Sequence, residues 1–134
     1  MSLATTVARV RARPARPIGS DFELWSWYFF RLSGLLLIFL ALGHVLIMHI
    51  INNVDVINYA FVADRWRTVG WRIYDWLLLS LALTHGMNGL RVIVDDYIHA
   101  RGKRALWLSS AWLLYFVLMV VGTLTIVTFP ITSL

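Results

Sequence analysis

Residues 73–97 read IYDWLLLSLALTHGMNGLRVIVDDY, an apolar run of membrane-spanning length with one imidazole, His85, at its centre and Asp95-Asp96-Tyr97 at its end. A spanning helix needs about 20 mostly apolar residues. Lipid offers no water to unpaired backbone groups, so such a run must satisfy them internally, as a helix does. Two further stretches, 25–51 and 105–130, reach the same length. The chain is therefore read as an all-α integral membrane protein. Three transmembrane helices, at 25–51, 73–97 and 105–130, make one membrane domain over 25–130, preceded by a basic segment 1–24 and followed by a short external tail 131–134.

Composition agrees with that reading. Of 134 residues 60% are hydrophobic and 14% charged, and the mean hydropathy is +0.73, values that belong to membrane proteins rather than soluble domains. Cysteine is absent, which excludes disulfides, thiolate metal sites and iron–sulfur clusters ligated by this chain. Any metal must come through carboxylates or the four histidines, His44, His49, His85 and His99. The formal charge of +5 sits beside the apolar spans, so it reads as topology and lipid contact, with no nucleic-acid partner.

Arg9, Arg11, Arg13 and Arg16 precede the first span, and Arg101, Lys103 and Arg104 separate the second from the third. Cytoplasmic loops are enriched in such residues. Both segments are thus expected on the cytoplasmic side, with the N-terminus inside. Trp25, Trp27, Tyr28, Trp107 and Trp112 would mark the inner interface, and Trp66, Trp71, Tyr74 and Trp76 the outer one. Asn52, Asn53, Asp55 and Asn58 interrupt the first span, Gly102 punctuates the inner loop, and Pro130 closes the third helix. The leader, Arg-rich and without lysine, has no apolar core of a secretory signal. Read as retained from Met1, it favours a bacterial plasma membrane over a mitochondrion.

His85 is the first candidate for chemistry. It is twelve positions from each end of 73–97, about 18 Å from either boundary at 1.5 Å per residue. An ionisable group at that depth is costly and usually functional. Gly86 is adjacent to it and Gly89 shares its face, so its surroundings are open to a neighbouring helix or a flat macrocycle. Position alone leaves three roles: a histidine bonded across helices, a haem axial ligand, or a proton relay. Asp96, eleven residues on, returns to nearly the same face about 16 Å nearer the cytoplasm. Beside it Tyr97 suits a quinone carbonyl, the phenol donating and the carboxylate fixing its direction. Arg31, about 9 Å below the inner interface, either snorkels or pairs with an anion, and its depth suits a haem propionate. His44 is about 20 Å along the helix from Arg31, so it packs or serves a second haem.

The run from His85 through Gly89 to Asp96-Tyr97, after a first span carrying Arg31-Leu32-Ser33-Gly34, resembles the D-type hydrophobic membrane anchor of succinate dehydrogenase, respiratory complex II. The resemblance implies a haem-containing helical bundle formed with a second, cytochrome b-type anchor, which would supply the opposite axial ligand. It implies His85 as haem b ligand and haem-iron contact, Arg31 as propionate partner, and Tyr97 with Asp96 at the quinone site, the quinone being ubiquinone or menaquinone. It also implies a flavoprotein subunit holding FAD and an iron–sulfur subunit that passes electrons to the quinone; this chain itself does no succinate chemistry. Two other readings stand beside it: an anchor of a quinol:fumarate reductase, and a helical assembly or transport subunit without haem, in which His85 only packs.

Overall fold

The computed structural model describes residues 21–130; the basic segment as far as residue 20 and the tail 131–134 lie outside the described residues. Helix α1 runs Asp21–Val45 and continues without a break as a wider π-helical stretch, Leu46–Ile51. Asn52 ends it by giving both donors to one acceptor: its backbone N–H (3.0 Å) and its side-chain amide (2.7 Å) bond the carbonyl of Ile47. The asparagines that stop this helix also start the next two elements, as short polar side chains do at helix N-termini. Asn53 accepts from the Asp55 N–H at the head of a 3₁₀ turn, Val54–Val56, and Asn58 accepts from the Phe61 N–H at the head of α2, Tyr59–Arg65. Helices α3, Val69–Tyr97, and α4, Arg101–Thr128, follow, joined through Ile98–Ala100.

The three long helices have 31, 29 and 28 residues, counting α1 through Ile51. At 1.5 Å per residue they are roughly 42–46 Å long, more than a hydrocarbon core of about 30 Å, so their ends reach the headgroup layers. That accounts for the starts at 21, 69 and 101, where hydropathy marks 25, 73 and 105. The apolar run records the part in lipid, whereas the helix itself goes on for another turn among polar side chains. Gly102 accordingly lies inside α4 instead of the loop. The cations of that first turn face the positive end of the helix dipole, an unfavourable placement. Asp95 offsets it: Arg104 Nε lies 2.7 Å from Asp95 Oδ1, close enough for the charges to pair although not aligned for a hydrogen bond. At its other end α4 stops at Thr128, where Pro130 holds Phe129 extended, at ψ 122°.

Helix α3 is the centre of the bundle, packed against both α1 and α4. Small residues set the distances. A Cβ on Gly122 of α4 would stand 2.5 Å from a methyl of Leu79, and one on Gly43 of α1 3.1 Å from the Tyr74 hydroxyl. That hydroxyl donates to the Leu40 carbonyl at 2.6 Å, which ties α1 to α3 toward the Val69 end of α3. At the corner where α3 begins and α4 ends, Arg72 donates to three carbonyls, those of Trp66 (2.6 Å), Val127 (2.8 Å) and Phe129 (3.2 Å). Few apolar side chains are buried within the chain, Ala63, Met87, Val94 and Ile126 among the described residues. Most of the apolar surface is left for lipid and for other subunits.

Candidate functional site

Near the middle of α3 the His85 imidazole is held by one face of α1. Phe30 stacks on it with ring centroids 4.3 Å apart and planes 8° from parallel. One turn on, Ser33 Oγ is 2.9 Å from His85 Nδ1, and Gly34 comes so close that a Cβ would stand 3.2 Å from His85 Cε1. These three residues fall at i, i+3 and i+4, the spacing that puts side chains on one helix face.

The hydroxyl of Ser33 faces Nδ1, and the direction of that bond fixes which ring nitrogen carries the proton. Ser33 is 1% exposed, so its donor must be used within the protein. It reaches the Phe30 carbonyl, which can only accept, at 3.3 Å. With its proton there, an Oγ lone pair is left for Nδ1–H of His85 and the free electron pair of the ring is on Nε2; with that proton on Nδ1 instead, Nε2 carries the hydrogen. Nε2 has no hydrogen-bond partner among the described residues, and it is not one of the side-chain atoms sealed from the surface. The next residue along α3, Gly86, has nothing within 4 Å of where a Cβ would stand.

Toward the Tyr97 end of α3 lies a polar layer joining α1 to α3. Ser26 donates to Asn88 at 2.7 Å, and Arg91 bonds both Glu23 oxygens, at 3.0 and 3.4 Å. Arg91 also donates to Ser26 at 3.3 Å. The structure brings Phe30, not Arg31, to the imidazole. Arg31 is exposed, its guanidinium 4.2 Å from the centre of the Trp27 ring, and it borders a groove with Tyr28, Phe30 and Asn88. Asp96 and Tyr97 end α3 on an open surface, Tyr97 being 80% exposed. They are not bonded to each other, because consecutive helical positions point about 100° apart. The engaged carboxylate is instead Asp95, beside Arg104 and 4.0 Å from Arg91.

His44 belongs to a separate cluster, toward the Val69 end of α3. There Asp75 is the hub: it accepts from Trp66 Nε1 at 2.7 Å and from Arg65 at 3.3 Å, with His44 Nδ1 3.7 Å away. Arg65 is nearly buried, lying over the Trp71 ring at 4.0 Å. This cluster, the Glu23–Arg91 pair and the Ser33 contact were all missed by the sequence reading. Asp75 and Arg91 carried a usable signal, since each is an ionisable residue within or at the edge of an apolar run.

No three His, Asp or Glu side chains converge among the described residues, so the described residues form no metal cage. A single imidazole such as that of His85 would suffice only for a group that brings its other donors with it.

Residues 8–128 match the family described as succinate dehydrogenase/fumarate reductase transmembrane subunit. Over 94 residues, 70% of this chain and 68% of the relative, the chain is 33% identical to a protein of Mycobacterium tuberculosis (strain ATCC 25618 / H37Rv) described as succinate dehydrogenase 2 membrane subunit SdhC. The helical motif points to a D-type anchor and this relative is of the C type; both designate membrane anchors of complex II. With three apolar helices of spanning length and a match that extends over all of them, the chain belongs to the succinate dehydrogenase/fumarate reductase transmembrane subunit family and is a multi-pass membrane anchor subunit.

Proposed function

We propose that this anchor gives a haem b one axial ligand, Nε2 of His85, and contributes Tyr97 and Asp96 to the quinone-reduction site of a succinate:quinone oxidoreductase. The observation that carries the reading is the state of the imidazole. Its Nδ1 is engaged by Ser33 at 2.9 Å and its Nε2 has no hydrogen-bond partner among the described residues, the arrangement a metal-ligating histidine needs. When bound, a haem b supplies a one-electron carrier in the membrane interior.

The chain's own residues divide the remaining work. Phe30 and Ser33 fix the ring of His85. Arg31, in the same half of the membrane as the Tyr97 end of α3, offers a cation to a propionate; its present neighbour, Trp27, is an exposed cation–π partner that a carboxylate can displace. Tyr97 presents a free phenol to a quinone carbonyl at the membrane surface. His44 is assigned to packing beside the Asp75–Arg65 pair, not to a second haem. Iron–sulfur centres belong to a partner subunit, since this chain has no cysteine, and the flavin to another, since it has no Gly-rich dinucleotide fingerprint; a second anchor would supply the other haem ligand. The basic N-terminal segment and the Arg101–Arg104 turn are assigned to the cytoplasmic side of a bacterial plasma membrane, the docking side for the iron–sulfur partner.

The test is a reduced-minus-oxidised spectrum of the purified complex. His85→Ala is expected to abolish the b-type absorbance while the partner subunits still co-purify, and His44→Ala to retain it. Full absorbance in His85→Ala overturns the ligand assignment.

A further inference from the structure

Ser33 has a second consequence, which rests on the reading of His85 as a haem ligand. We infer that Ser33 is a positioning residue: by accepting from Nδ1–H it holds His85 in the tautomer that ligates through Nε2, makes that nitrogen a stronger donor, and so keeps the haem's reduction potential lower than an unbonded histidine would.

Four observations converge on one ring. The Ser33 oxygen is 2.9 Å from Nδ1, and the Phe30 carbonyl stands within reach of its proton at 3.3 Å, which leaves the hydroxyl able to accept. Ser33 is 1% exposed, which keeps water from substituting for it. Phe30 lies flat against the imidazole and blocks rotation out of its plane, while Gly34 is pressed to 3.2 Å, leaving the ring no room to swing toward α1. A partner on the non-ligating nitrogen raises the basicity of the ligating one, and hydrogen bonding beyond the ligand is one of the means by which a protein sets haem potential. A neutral hydroxyl does this more weakly than a carboxylate, so the effect is moderate in size and definite in sign. Electron density pushed toward the iron favours its oxidised state.

The experiment is a redox titration of the haem in the intact complex, followed by absorbance, with the low-spin EPR signal of the oxidised form as a second readout. Ser33→Ala is expected to raise the midpoint potential and shift the EPR signal; Ser33→Cys, whose sulfur accepts weakly, is expected to move the potential in the same direction by less. An unchanged potential and EPR signal in Ser33→Ala with haem bound overturns the inference. If the Ser33→Ala complex does not assemble, Ser33→Cys takes its place and an unchanged potential there overturns it equally. The two readings fail separately. Haem retained in His85→Ala removes the ligand assignment and this inference with it, whereas haem lost in His85→Ala but an unshifted potential at Ser33 removes only the inference.

Discussion

Tyr97 and Ser33 are both hydroxyl-bearing residues assigned to the site, and they differ in what surrounds them. The phenol of Tyr97 is 80% exposed and free of partners among the described residues, so it is available to a ligand. Replacing it with Phe removes one hydrogen bond to substrate and leaves the fold untouched. A bond of that kind is worth about 1 kcal/mol, so Tyr97→Phe is expected to lower quinone reductase activity roughly five- to tenfold. Electron flow from succinate to a soluble dye, which bypasses the quinone, should remain near wild type. Equal losses in the two assays would take Tyr97 out of the quinone site. His85 was legible in the sequence because a mid-span imidazole is rare and expensive. Ser33 was not. Hydroxyls in these helices commonly bond the carbonyl one turn back, as Ser80, Thr84, Thr125 and Thr128 all do toward the residue four before them. A serine in an apolar run therefore says nothing by itself about a partner on another helix.

Helices α1, α3 and α4 were legible because hydropathy over a whole span outweighs any single propensity. Their ends were not, because the apolar run marks the slab of lipid and the hydrogen-bonded helix outlasts it. Gly102 shows the difference: as punctuation it belonged in a loop, but the turn at Ile98–Ala100 is already complete before it. Glycines inside α4 are consequently not equivalent. At Gly122 an added methyl would meet one Leu79 methyl at 2.5 Å with Leu79 Cγ itself 3.5 Å away, and overpacking of this kind costs about 1–3 kcal/mol, against the up to about 1 kcal/mol that alanine gains over glycine in a helix. Gly122→Ala is expected to lower the thermal unfolding midpoint of the purified complex, and pairing it with Leu79→Ala to recover part of the loss. At Gly102 nothing lies within 4 Å, and replacing a helical glycine by alanine favours the helix by up to about 1 kcal/mol. Gly102→Ala should leave the midpoint unchanged or raise it; a fall as large as that of Gly122→Ala would mean that the α3–α4 contact is not what limits stability.

Taken whole, the chain is asymmetric across the membrane, and its lack of cysteine makes that asymmetry easy to measure. The segment between α1 and α3 and the turn between α3 and α4 lie at opposite ends of α3. A single cysteine introduced by Asp55→Cys is expected to react with an impermeant maleimide in right-side-out vesicles, and one introduced by Ala100→Cys only in inverted ones. The reverse pattern would invert the proposed orientation, and equal labelling of both would contradict a spanning α3. The corner where α3 begins and α4 ends adds a constraint of a different kind. Arg72 donates to carbonyls 55 and 57 positions later in the chain, so during synthesis it leaves the ribosome well before either acceptor exists. Its guanidinium must wait in the headgroup layer until the last helix has crossed, which makes that crossing the event that latches the bundle. Nascent chains stalled before Val127 would be released with the latch open, an intermediate that membrane quality control can recognise.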